Sequence, residues 1–233
     1  MAIAHFEIAS LPVTPWKNGG GATREIACWP PGASLDQFGW RVSIATIASS
    51  GPFSTFAGVD RQIMLLEGAG VLLRSLDGRI AHRLDTPNRP LAFSGDESIE
   101  CSLLGAASTD FNVMTRRASW RADVRVVDRQ AEIDSSPHGL LLALQGNWEL
   151  DGESLRAGGG LCWTDEERSW RIRPLEADAR LVAVRFQTSA RLADPKGAQP
   201  LSALTPTLSR ERERGQDQPA PPVPSPARGR GLG

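Results

Sequence analysis

The stretch Pro15-Trp16-Lys17-Asn18-Gly19-Gly20-Gly21-Ala22-Thr23-Arg24-Glu25 brings together an indole ring, both charge signs and three consecutive glycines. Glycines leave the backbone N–H groups approachable. Lys17 is one of only two lysines in a chain that otherwise uses arginine, the other being Lys196, and a lysine supplies a compact point charge rather than a planar fork. Lys17, Arg24 and Arg61 suit carboxylate neutralisation, the arginines through two parallel hydrogen bonds. Asn18 and Thr23 suit amide or formyl oxygens, and the Gly19, Gly20 and Gly21 amides add donors. Trp16 or Trp40 would wall such a site, with Glu25, Arg41, Asp60 and Asn112 completing it. Plainer readings stand beside these. Trp40 reads first as core, Arg41 and Glu25 as a cross-strand ion pair of small worth, and Asp60 and Asp110 as turn caps. The glycine run alone reads as a solvated loop. Asn112, between Phe111 and Val113, either faces a cavity or pairs with backbone. A second chemistry uses Lys17 with Glu25 or Asp60 as the acid and base of a metal-independent isomerase or hydrolase.

Other chemistries find little support. His5, His82 and His138 form no His-x-His pair and read as surface or strand-end residues, and no carboxylate cluster has ligand spacing, so neither metal nor cofactor is expected. There is no Gly-x-Ser-x-Gly elbow and no cysteine in an activating context. Cys28, Cys101 and Cys162 lie far apart without Cys-x-x-Cys spacing, as in a reducing compartment. The N-terminal residues lack a signal-peptide pattern, and no apolar run reaches the roughly 18 residues of a membrane span. A cytoplasmic protein without a membrane partner is expected. The formal net charge is −1; residues 191–233 carry seven basic and four acidic side chains, which leaves residues 1–190 at −4. A mildly acidic body argues against nucleic acid as partner.

The elements that must position these residues read as β. Trp40 to Ile47 alternates with period two. Arg61 to Leu66 is an apolar run ending at Glu67-Gly68-Ala69-Gly70, a hairpin signal before Val71, and Asp77-Gly78 marks a tight turn. Ile99 to Leu103 and Asp110 to Met114 add short strands, while Glu132 to Ser136 holds at most a helical turn. A weak duplication matches Ile63–Gly70 and Pro90–Asp96 with Leu140–Trp148 and Gly159–Asp165, the halves closing on Ile99–Leu104 and Leu181–Phe186. Evenly spaced short strands with glycine-rich turns fit a jelly roll of the cupin kind present twice. The expected fold is all-β, a bicupin of two packed jelly-roll halves, with residues 1–118 forming the first and carrying the site, and 119–189 the second. Residues 190–233 read as a disordered tail: from 187 onward there is no aromatic residue, and eight of the 17 prolines fall there.

Several motifs together resemble the HutD/Ves family: Pro15–Gly21 with Thr23-Arg24-Glu25, Trp40–Ala45, Ser50–Ser54, Gly58–Arg61 and Asp110–Met114. The resemblance runs from about residue 5 to 187 and excludes the tail. One departure is Phe56-Ala57-Gly58, where other members often carry a proline. The resemblance implies a bicupin without the usual metal ligands and a link to bacterial histidine utilisation, where such proteins bind an intermediate such as formylglutamate and limit flux; Ves-type members are associated with stress. The leading expectation is a non-catalytic or weakly catalytic regulator that binds a small carboxylate metabolite, with a homodimer as a possible assembly.

Overall fold

A computed structural model describes residues 3–192. Its strands are β1 (Ala4–Glu7), β2 (Thr14–Pro15), β3 (Gly21–Trp29), β4 (Trp40–Ile47), β5 (Gly51–Pro52), β6 (Val59–Glu67), β7 (Val71–Ser75), β8 (Ala81–Leu84), β9 (Leu91–Ser94) and β10 (Ile99–Leu103). They continue as β11 (Ser108–Arg116), β12 (Trp120–Val127), β13 (Ala131–Ser136), β14 (His138–Gln145), β15 (Trp148–Leu150), β16 (Glu153–Leu155), β17 (Gly159–Trp163), β18 (Arg168–Pro174) and β19 (Arg180–Thr188). A short helix, α1 (Ser189–Leu192), follows. The tail expected to be disordered lies outside the described residues, α1 excepted.

The strand orders show the duplication directly. In the first half, β9-β6-β11-β4 form the core of one sheet and β5-β10-β7-β8 the other. In the second, β17-β14-β19-β12 and β13-β18-β15-β16 repeat the same orders. The fold is therefore a bicupin, as expected. Three strands are extras: β2 and β3 extend the first large sheet beyond β4, and β1 extends the second beyond β17. Residues Ala4–Glu7, at the chain's beginning, thus complete the sheet of the later half, pairing with Gly159–Cys162.

Three local expectations change. Glu67–Gly70 is not a hairpin, because β6 and β7 belong to different sheets. Gly70 makes that crossing at φ +85°, where a Cβ would lie 2.0 Å from the Leu84 carbonyl oxygen. Asp77-Gly78 does close a hairpin, between β7 and β8. Residues 132–136 are strand, not helical turn. The counterpart of β10 is β18, and Leu181–Phe186 in β19 instead matches β11.

Period-two alternation divides most of the apolar residues among three cores, with a smaller cluster of Phe38, Val59 and Met114 beside them. Ile63, Leu65, Leu73 and Ile99 fill the first jelly roll; Leu141, Trp148, Trp163 and Trp170 fill the second. Between the halves, Trp40, Val42, Ile44, Phe111 and Val113 pack on Leu140, Leu142, Val182, Val184 and Phe186. Trp40 stacks on Phe186 at 4.2 Å between ring centroids, so it is core, the first of its two readings. Each such fully buried side chain contributes roughly 1.5–3 kcal/mol, which makes this interface a principal source of stability.

Candidate functional site

Since Trp40, Val42 and Ile44 are spent on the second half, strand geometry turns Arg41, Ser43 and Ala45 to the other side of β4. All three line a cavity of about 870 Å³ in the first jelly roll. Neighbouring strands follow the same rule: β3 contributes Thr23 and Glu25, β6 contributes Arg61, and β11 contributes Asn112 and Met114. Trp16, Lys17 and Asn18 come from the loop beside β3, and Phe53, Ser54 and Phe56 from the segment after β5. A volume of this size fits a small metabolite.

Arg61 is the deepest charge in this cavity. Burial first, and the neighbouring Arg41 charge second, bring its pKa down to about 10, leaving it cationic at neutral pH. Part of its surface opens onto the cavity, yet its Nε is buried and has no hydrogen-bond partner. Its other nitrogens donate to the Asn112 Oδ1 at 3.3 Å and the Ser54 carbonyl at 3.4 Å, both neutral acceptors. The guanidinium carbon lies 4.9 Å from the Phe93 ring centroid, 5.3 Å from Phe53 and 5.7 Å from Phe56. Among the described residues, it forms no ion pair. A desolvated cation walled by aromatic rings and lacking a carboxylate partner leaves charge for an anion to neutralise.

Arg41 differs. Its Nε donates to the Glu25 carboxylate at 2.6 Å and its Nη1 to the Ser43 hydroxyl at 3.3 Å, so the cross-strand ion pair expected from the sequence is present. Lys17, Arg41 and Arg61 thus place three cations in the cavity against the single carboxylate of Glu25. The rim loop is fastened by the Trp16 indole N–H, which donates to the Thr23 hydroxyl at 2.8 Å. Gly21 permits this: a Cβ there would lie 2.3 Å from the Thr46 carbonyl oxygen and 3.0 Å from the Trp16 ring. The Asn18 Oδ1 is used locally, accepting the Gly20 N–H at 3.0 Å.

Eight of the twelve residues expected at the site line this cavity: Trp16, Lys17, Asn18, Thr23, Glu25, Arg41, Arg61 and Asn112. Four do not. Gly19 and Gly20 shape the rim turn, Gly20 accepting N–H bonds from Ala48 and Ser49. Arg24 lies between the lining residues Thr23 and Glu25, and consecutive strand residues face opposite sides; its Nε is buried without a partner elsewhere. Asp60 precedes Arg61 and meets the same rule, pairing with Arg117 at 2.6 Å. A Lys17–Asp60 acid–base pair is therefore not assembled, whereas Lys17 and Glu25 share the cavity.

Two further expectations are corrected. His138 does begin a strand but is buried, packed among Trp29, Trp40 and Trp120 at the junction of the halves. Its Nε2 lies 3.5 Å from the Asp165 carboxylate, and burial lowers its pKa. Asp110 caps no turn: it is fully buried on β11, where burial pushes its pKa up to about 7 against the lowering hydrogen bond from Ser108. Among the described residues, no three of His, Cys, Asp and Glu come together as metal ligands. No helix there is long and apolar enough to cross a membrane.

The repeat supplies an internal control. Strand register places Met114 beside both Arg61 and Arg41, and Arg185 beside both Gly139 and Asp123. Gly139 thus stands where the first half has Arg61, and a Cβ on it would lie 2.2 Å from the Trp163 ring. Arg185 meets two carboxylates, Asp123 at 2.7 Å and Asp134 at 3.0 Å. The second jelly roll fills the equivalent space with indole and satisfies its arginine from within.

The HutD family model matches residues 9–182. Protein Ves of Citrobacter koseri is 43% identical over 169 residues, covering 72% of this chain and 86% of that protein. Among solved structures, PA5104 of Pseudomonas aeruginosa PAO1 superposes with a TM-score of 0.71 at 36% identity, covering 80% of this chain and 100% of the other. HutD of Pseudomonas fluorescens SBW25, from a formate condition, gives a TM-score of 0.71 at 30% identity, covering 80% and 99%. A likeness to a bacterial pirin of Escherichia coli in complex with nickel(II), TM-score 0.54 at 9% identity, covering 78% of this chain and 98% of the other, shows the fold alone.

Proposed function

The chain belongs to the HutD family, and from that premise we propose that it binds a small carboxylate metabolite, of the formylglutamate kind, in the cavity around Arg61. Binding would serve regulation of histidine utilisation, or of a stress response, in the cytoplasm. The observation that carries the reading is the guanidinium of Arg61, desolvated, flanked by three phenylalanines and without an ion pair among the described residues. A carboxylate there would exchange neutral acceptors for charged ones, and a hydrogen bond to a charged group is worth about 1.5–3 kcal/mol. Glu25 holds Arg41 in place and offsets its charge. Lys17, exposed at the rim, is free to meet a second anionic group, while Thr23, Ser43 and Asn112 offer polar atoms between the two ends.

Calorimetric titration with formylglutamate, glutamate, urocanate and formate tests this. At least one should bind at millimolar concentration or better, and Arg61→Ala should weaken it by about 10- to 100-fold, the equivalent of one lost charged hydrogen-bonding group. An absence of binding by all four would count heavily against the proposal. The enzymatic alternative retains only Lys17 with Glu25, and Glu25 is held by Arg41. Turnover of a ligand that persists with chelator and disappears in Lys17→Ala would favour it.

A further inference from the structure

The four sheets present eight edge strands, and seven are blunted. β2 and β5 have two residues each, one of them proline; β16 has three, and β1, β8 and β9 have four. β13 loses register between Ile133 and Ser136. The eighth, β12, runs for eight residues and pairs with β19 in unbroken register. A long regular edge is a template for another strand, and proteins normally disable it. The duplication sharpens the contrast, because the counterpart of β12 is β4, which β3 covers. Side chains serve only the beginning of β12: the Arg121 guanidinium donates to the Trp120 carbonyl and the Gln62 amide to the Ala122 carbonyl, both at 2.9 Å. From Asp123 to Val127, among the described residues, no side chain or loop donates to the backbone.

We propose that β12 pairs with β12 of a second copy of this chain, antiparallel about a two-fold axis at Val124. The two five-stranded sheets then become one of ten strands. Charge selects the partner and the register. Centring on Val124 sets Asp123 of one copy opposite Arg125 of the other, and the symmetry makes this pair twice. Centring one residue later would set the two Arg125 side chains against each other, which is unfavourable. Within each copy Asp123 already lies 2.9 Å from Arg125 and 2.7 Å from Arg185, so pairing joins two ion-pair clusters through alternating charges. The even-numbered residues Ala122, Val124 and Val126 remain on the core between the halves.

Sedimentation velocity on the full chain, with hydrogen exchange read at high and low protein concentration, tests this. The expected result is a dimer in which the amides of 123–127 that point away from β19 lose protection on dilution, and an Arg125→Asp variant that dissociates at least tenfold more readily with unchanged circular dichroism. A monomer at about 100 μM overturns the proposal, as does a dimer whose concentration-dependent protection lies elsewhere. Protection of those outward amides that ignores concentration overturns it too, since contacts within one copy would then cover the strand.

Discussion

Two buried ionisable side chains in the first jelly roll behave oppositely. Arg61 stays charged because its pKa, although depressed, remains near 10. Asp110, raised to about 7 by burial, spends part of the physiological range protonated. An aspartate whose folded pKa exceeds its unfolded value destabilises as pH rises: the penalty is absent below pH 4, grows between pH 4 and 7, and is constant above. Asp110→Asn should therefore gain stability relative to the parent as pH increases, by up to about 2–4 kcal/mol at pH 8. Urea denaturation at pH 4.5 and pH 8 checks this; an equal difference at both would refute it. At this scale the sequence was informative but misread in one respect. Alternation shows that Arg24 cannot share a face with Thr23 and Glu25, nor Asp60 with Arg61, and the same rule pointed from Arg41 to Ser43 and from Asn112 to Met114. Nothing local announced Phe53, Phe56 and Phe93, because their approach to Arg61 depends on where loops and a distant strand return.

Strand identities were largely legible from period two, whereas pairing partners were not. A glycine turn looks alike whether it joins neighbours in one sheet or passes between two sheets, which is why Glu67–Gly70 read as a hairpin. β1 was likewise invisible as a member of the later half, since four residues carry too little pattern to name a partner far along the chain. Its attachment rests on Phe6, whose ring lies where a Cβ on Gly160 would stand, 2.2 Å away. Gly160→Ala should displace that ring and free residues 4–7 to exchange their amides, at a cost of about 1–3 kcal/mol. Hydrogen exchange at Ala4–Glu7 measures it; retained protection would show that β1 is held by other contacts.

Over the whole molecule, two similar jelly rolls have diverged in what fills them. One keeps an open cationic interior, and the other is packed with Trp163 and an arginine satisfied by two aspartates. The duplication itself was readable in the sequence because apolar runs and glycine turns recur in the same succession; the contrast in filling was not, because Gly139 and Arg61 become equivalent only through register. The apolar interface joining the halves should make them unfold together. Calorimetry is expected to show one transition, and Trp40→Ala, which removes a fully buried ring from that interface, should cost about 3–5 kcal/mol. Two separate transitions in the parent protein would contradict this coupling.

The crossing of β1 also bears on biosynthesis. Its residues leave the ribosome long before Gly159–Cys162, the strand whose edge they cover. β1 must therefore wait, unpaired, while everything between is built, and its strand-forming edge is open to wrong partners until β17 arrives.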